Sequence, residues 1–256
     1  MRLHHVRRGS GAPLVLLHGI GDSHRMWTNV MGRLARAHEV IAVDLPGFGG
    51  SRTLRDTEPT PAALADAVAA FMGGEPFHVA GNSLGGGVAL ELGRAGRARS
   101  VTAISPVGFA RGWERRYLRM SLGMTRTVAP RIPRRALASP LVRRLVALQM
   151  SERPIPRAEL GGAIDDLGLA PGWDAALDGL VSYDFEGAVD VPVTVAWGEH
   201  DRLLLPRQSA RARTALPSAH HEWLRGCGHI PTWDDPERVA RVILATTARA
   251  RSDKPN

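Results

Sequence analysis

At 256 residues, 44% of them hydrophobic, the chain is long enough to bury a sizeable core as one large domain or two small ones. Its single cysteine, Cys227, excludes an internal disulfide framework and any multi-cysteine zinc site, and no stretch nears the roughly 18 consecutive apolar residues of a membrane span. The formal charge of +8 would suit an acidic partner such as nucleic acid, anionic lipid or an acidic carrier protein. However, no nucleic-acid motif accompanies it, aromatics are only 5%, and Lys254 is the one lysine among the basic residues, which points to compositional bias.

The basic N-terminus, Met1 to Arg8, leads into no apolar h-region, so the expectation is a cytoplasmic protein. A small-molecule substrate with an apolar acyl or ring-containing group is expected, with no nucleic acid and no membrane span, in a monomer or a homodimer.

In chain order, short apolar runs bounded by turn residues recur at Leu14 to Leu17, Val40 to Val43, Phe77 to Ala80, Val101 to Ile104, Val193 to Trp197 and, less clearly, His221 to Leu224. Continuous rather than alternating apolar character marks strands buried on both faces. Helix-like stretches lie between them at Met26 to Ala37, Pro61 to Phe71, Leu84 to Ala95, Pro206 to Ala215 and Pro236 to Ala250. Thr60-Pro61 and Asp235-Pro236 each set a capping residue before a proline at the first helical position. Strand and helix alternation predicts an α/β protein with a mostly parallel, doubly wound sheet.

The alternation breaks once. From Val107 to Glu186 no clear strand occurs, and Arg-rich helical segments are interrupted by Pro130, Pro133, Pro140, Pro154, Pro156 and Pro171. Eighty residues are too many for a structureless loop. Residues 107–186 therefore read as a helical cap inserted into a core formed by residues 1–106 and 187–256, with a polar, frayed tail from Arg249 to Asn256.

Four constellations carry chemistry. Phe77 to Ala80 runs into Gly81-Asn82-Ser83-Leu84-Gly85, a strand, a G-x-S-x-G turn and a helix, the context a nucleophile elbow requires. Leu14 to Leu17 ends in His18-Gly19-Ile20-Gly21, a turn able to aim a backbone N–H; with the N–H after the nucleophile this assigns an oxyanion hole to Ile20 and Leu84. His18 precedes the turn glycine and is read as a brace of that loop. Val193 to Trp197 runs out into Gly198-Glu199-His200-Asp201, where Asp201 can orient an imidazole and Glu199 is the competing carboxylate. Last, Gly226-Cys227-Gly228-His229 presents one imidazole as general base, with Cys227 a small buried loop residue. The order Ser83, Asp201, His229 is nucleophile, acid, base.

Together with His18-Gly19 and Asp44-Leu45-Pro46-Gly47-Phe48-Gly49, these motifs resemble the α/β-hydrolase superfamily from about residue 3 to 248. The resemblance implies the α/β-hydrolase fold with an eight-stranded, mostly parallel sheet, a cap over the strand ends, a structural role for the Asp44 to Ser51 loop, and no cofactor. One departure is an extra residue between Asp201 and Pro206. Relatives that open epoxides or remove halogen place Asp at the elbow, and here it is Ser83.

No metal site is expected, since His4-His5 and His220-His221 are adjacent pairs without the spacing of H-E-x-x-H, and no phosphate-binding glycine loop is complete. The expected reaction is hydrolysis of a carboxylic ester, thioester or lactone through an acyl-enzyme. Gly-Asn-Ser at the elbow and Trp233 after the histidine are also similar to meta-cleavage-product hydrolases, which leaves carbon-carbon hydrolysis of a diketone-type acid open. Cofactor-free perhydrolysis and a non-enzymatic ligand receptor stay open as well. Twelve arginines against Glu114 and Glu152 lie between Arg111 and Arg157; they read as solvated helix faces, with inward arginines for a substrate carboxylate as the alternative.

Overall fold

The computed structural model describes residues 2–252. The six expected strands form, each longer than its apolar run, and a seventh precedes them: β1 His5–Arg8, β2 Pro13–Leu17, β3 Glu39–Val43, β4 Phe77–Asn82, β5 Ala98–Ile104, β6 Val193–Gly198 and β7 His220–Leu224. They make one sheet in the order β1-β3-β2-β4-β5-β6-β7, parallel except for β1, which pairs antiparallel with β3. The expected eight strands are thus seven among the described residues. The residues before β2 supply one strand, and β1 escapes an apolar-run search because its sequence, HVRR, is polar and lies at the sheet edge.

The side chains of β2 show why these runs are continuously apolar. Leu14 and Leu16 point to one layer with Val40, Ala42, Ala80, Ile104 and the helical residues Trp27, Val30, Leu34 and Ile243. Val15 and Leu17 point to the other, with Ile41, Val43, Val79, Val101, Leu64, Val68 and Val88. Each Leu or Val taken out of water contributes about 1.5–3 kcal/mol, and the period of two along a strand divides that gain between the two faces.

The helices are α1 Thr28–Leu34, entered through a 3-10 turn at His24–Trp27, α2 Pro61–Met72, α3 Leu84–Arg94, α4 Trp113–Val128, α5 Pro140–Ala147, α6 Arg157–Gly168, α7 Trp173–Ser182, α8 Gln208–Ala215, α9 Pro231–Asp234 and α10 Pro236–Ser252. The caps behave as their sequence demands: Thr60 accepts the Ala63 N–H at 3.2 Å, and Asp235 accepts the Arg238 N–H at 2.9 Å. The residues at 249–252 continue α10 rather than fraying, and the rest of the expected tail lies outside the described residues.

Helices α4 to α7 fall between the adjacent parallel strands β5 and β6. Buried Glu114 on α4 is gripped by Arg207 and Arg211 near α8. Tyr183, after α7, donates its hydroxyl to buried Glu91 of α3 at 2.6 Å. Burial, with that carboxylate beside it, pushes the Tyr183 phenol well above its ordinary pKa, so it stays a donor.

Candidate active site

Ser83 stands between β4 and α3 with φ 57° and ψ −117°, a conformation a non-glycine residue holds at a cost of about 1–3 kcal/mol. Three backbone bonds hold it there: its N–H donates to Ile104 O at 3.0 Å, and its carbonyl accepts from Gly87 N and Val107 N, both at 3.1 Å. The turn is tight enough that a Cβ at Gly81 would lie 2.0 Å from Gly85 O, and one at Gly85 would lie 2.3 Å from Leu17 O. Glycine is therefore obligatory on both sides of the serine. The β2 turn closes in from the other side, since a Cβ at Gly19 would lie 3.3 Å from Ser83 Cβ. Ile20 follows it on the wall of the same cavity, and Leu84 opens α3, where the first N–H groups have no intrahelical partner.

His229 and Asp201 meet deep in the protein, Nδ1 to Oδ2 at 2.8 Å with both side chains almost wholly buried. Asp201 Oδ1 accepts the N–H groups of Leu203 at 2.9 Å and Leu204 at 2.8 Å, so the turn that holds the extra residue before Pro206 also fixes the carboxylate. Glu199 is elsewhere: half-exposed, it accepts the Gly226 N–H at 2.9 Å. Asn82 ties the two loops together, its Nδ2 donating to Ile104 O at 3.1 Å and to His229 O at 3.0 Å. Ser83, His229 and Asn82 line one cavity of about 90 Å³ with Ile20, Asp22 and Trp233. Among the described residues no hydrogen bond yet joins the serine hydroxyl to the imidazole, a contact that in free enzymes is often long until substrate arrives.

The insertion supplies much of the apolar wall: Leu122, Ala129, Val146, Ala147, Leu160 and Ile164 among others. Its arginines turn elsewhere. Among the described residues no arginine lines the cavity; Arg126, for example, bonds to the Leu167 carbonyl and lies over the Trp173 ring. The only carboxyl group on the wall among the described residues is Asp22, which sequence reasoning passed over. Burial pushes its pKa up to about 7, against the opposing N–H of Ser23 at 2.8 Å.

His18 is a brace. Its Nε2 accepts the Leu45 N–H at 2.9 Å, so that nitrogen is bare, and its Nδ1 lies 2.7 Å from Gly19 O, which requires a proton there. Both nitrogens are thereby committed in the neutral ring, and burial holds its pKa below the ordinary histidine value. Cys227 is buried, and its thiol pKa is pushed up to about 12, which leaves it inert at neutral pH.

Among the described residues, the group that could hold a metal is one the sequence spacing hid: His4, His24 and Asp44 bring ligand atoms within 4.8 Å of one another. Their contacts are hydrogen bonds. The Nδ1 atoms of His4 and His24 lie 2.7 and 2.8 Å from the two carboxylate oxygens, which also accept the backbone N–H groups of His24 at 2.6 Å and Gly50 at 2.9 Å. Burial alone would raise the Asp44 pKa, but the bonds from His24 and Gly50 outweigh it and hold the carboxyl below the usual range. Asp44 thus braces its loop as a carboxylate.

A parallel sheet, a strained serine between strand and helix, and a buried His–Asp pair on the two last loops are the architecture of the α/β hydrolases. Residues 14–242 match the alpha/beta hydrolase family, and the chain belongs to it. It is similar to the epoxide hydrolase EphH of Mycobacterium tuberculosis, 36% identical over 68% of this chain and 87% of that protein. It is also similar to a pimeloyl-acyl-carrier-protein methyl ester esterase of Methylococcus capsulatus, 31% identical over 92% of this chain and 94% of that one. Among solved structures, the enol-lactonase of Burkholderia xenovorans LB400 superposes with a TM-score of 0.77 at 18% identity, covering 96% of each chain, which speaks to the fold.

Proposed function

We propose that this hydrolase cleaves a carboxylic ester, thioester or lactone through an acyl-enzyme on Ser83. His229 takes the serine proton, Asp201 holds the imidazole in the tautomer with its proton on Nδ1, and the N–H groups of Ile20 and Leu84 receive the oxyanion. Residues 107–186 act as the cap that shapes the acyl pocket over the core formed by residues 1–106 and 187–256.

The observation that carries this reading is Ser83 in the strained elbow, sharing its cavity with a histidine that is bonded to a buried aspartate. The same residue argues against epoxide opening. A carboxylate nucleophile yields an ester that water can cleave, whereas a serine attacking an epoxide carbon would leave an ether, which has no acyl carbon for the hydrolytic half-reaction. The apolar wall, with no arginine among the described residues that line it, favours an uncharged acyl group over the carboxylate of a diketone acid.

The test is pre-steady-state hydrolysis of activated esters. A burst of alcohol equal to the enzyme concentration, absent in a folded Ser83→Ala protein, is expected. Turnover retained by Ser83→Ala would end this reading.

A further inference from the structure

Among the described residues, seven of the ten large hydrophobic side chains that stand exposed belong to one helix pair and its immediate continuation: Trp113, Met120, Met124 and Val128 on α4, and Leu141, Leu145 and Leu148 on or just after α5. Their spacing puts each set on a single face. With half-buried Tyr117 included, α4 runs 113, 117, 120, 124, 128, and α5 runs 141, 145, 148, in steps of three and four. Met120 is 73% exposed and Leu141 66%, so these are protruding side chains rather than rims of a core. The two stripes are linked: Tyr117 donates to Arg202 O, Arg202 Nη1 donates to Leu148 O at 2.7 Å, and Ser121 on α4 bonds Gln149 after α5 at 2.9 Å.

The net charge around the stripes is positive, although Arg115 and Arg119 of α4 are paired with Asp184 and Asp178. Both acids of this Arg-rich segment are consumed, Glu114 by Arg207 and Arg211, and Glu152 by Arg202 at 2.5 Å. Arg116, Arg131, Arg135 and Arg144 are exposed and meet no carboxylate among the described residues, and Arg131 bonds only the carbonyl of Thr127. Apolar side chains standing in a field of unneutralised arginine are what an anionic interface selects: the apolar groups enter the acyl boundary while guanidinium groups pair with phosphates.

We infer that the outer face of α4 and α5 is a docking surface for an anionic phospholipid membrane. A second copy of the chain fits this face less well, because a two-fold contact would set the same arginines against each other. A folded acidic protein would need a concave match for protruding methionines and leucines, whereas a fluid bilayer needs none. The inner faces of the same helices carry Leu122 and Val146 into the cavity, so a docked protein would rest its cavity roof on the lipid.

The test is cosedimentation of the whole protein with vesicles of phosphatidylglycerol and phosphatidylcholine mixed, against phosphatidylcholine alone. Binding to the anionic vesicles is expected, weakening as salt is raised. Met120→Gln, Met124→Gln, Leu141→Gln and Leu145→Gln combined should lower the partition coefficient about tenfold or more. Arg116→Gln, Arg131→Gln, Arg135→Gln and Arg144→Gln combined should remove the preference for anionic lipid. None of these eight side chains lines the cavity, so hydrolysis of a water-soluble ester serves as the folding control. The inference is overturned if the wild type stays in the supernatant at low salt, if the four-glutamine apolar variant pellets like the wild type, or if sedimentation velocity shows that the face instead joins two copies.

Discussion

Asp234 Oδ2 accepts the Gly228 N–H at 2.7 Å, one residue before His229, while Oδ1 of the same carboxylate accepts from Ser151 Oγ at 2.7 Å and from the N–H groups of Glu152 and Arg153, both at 2.9 Å. One buried side chain thus locks the loop that carries the proposed base to the segment between α5 and α6 of the helical insertion. Asp234→Ala would leave four donors without that acceptor, and a lost bond to a charged group costs about 1.5–3 kcal/mol. We expect a loss of about 3 kcal/mol or more in urea unfolding, with kcat lowered more than KM is raised. An unchanged unfolding midpoint would show that the network contributes nothing.

Asp201 accepts three N–H groups, from His229, Leu203 and Leu204. An amide has only one acceptor oxygen, so Asp201→Asn must either release the turn or present an N–H to the imidazole and force the other tautomer. Its kcat should drop by about ten-thousand-fold. Glu199→Gln should change kcat less than about threefold, because its partner is the exposed Gly226 amide and not His229. If the Glu199 variant is the crippled one, the acid has been misassigned.

The fold was legible because buried parallel strands must be apolar on both faces, which made runs such as Val40 to Val43 visible without any pairing information. The polar edge strand β1 left no such trace. At the site, Ser83 was legible because the elbow's close approaches force glycine at 81 and 85, a local signature. Asp234 was not, and for Asn82 and for Asp44, whose loop the resemblance marked as structural, the partners were hidden, since only the folded chain brings them near, such as His4 forty residues from Asp44. The choice between Asp201 and Glu199, two positions apart, likewise rests on which one the turn at Leu203 and Leu204 buries.

The substrate prediction follows from the cavity wall. With no arginine on it and Asp22 as its only carboxyl group among the described residues, a free carboxylate on the substrate would be desolvated without a cationic partner there. At least one short or medium acyl ester from a broad panel should reach a kcat/KM above about 10⁴ M⁻¹s⁻¹, with diketone acids far slower. The reverse order across the panel would establish carbon-carbon hydrolysis in place of ester cleavage.

Asp22 itself gives a pH signature. Its pKa of about 7 in the folded protein stands above the ordinary 3.8, because burial disfavours the ionised form more than the Ser23 N–H favours it. Between those two values the folded state keeps a proton that the unfolded chain has released, so this group makes stability fall as pH rises through that window. Below it both states are protonated, and above it both are ionised with the destabilisation complete. Asn has the same shape and no charge to bury, so Asp22→Asn should differ little from the wild type at about pH 4 and become progressively the more stable of the two up to about pH 7, after which the gap should hold constant. Urea unfolding of both proteins across that range measures it. A gap that does not vary with pH would mean that Asp22 is hydrated and ionised in the folded state, and a gap of opposite sign would mean that its carboxylate has a cationic partner.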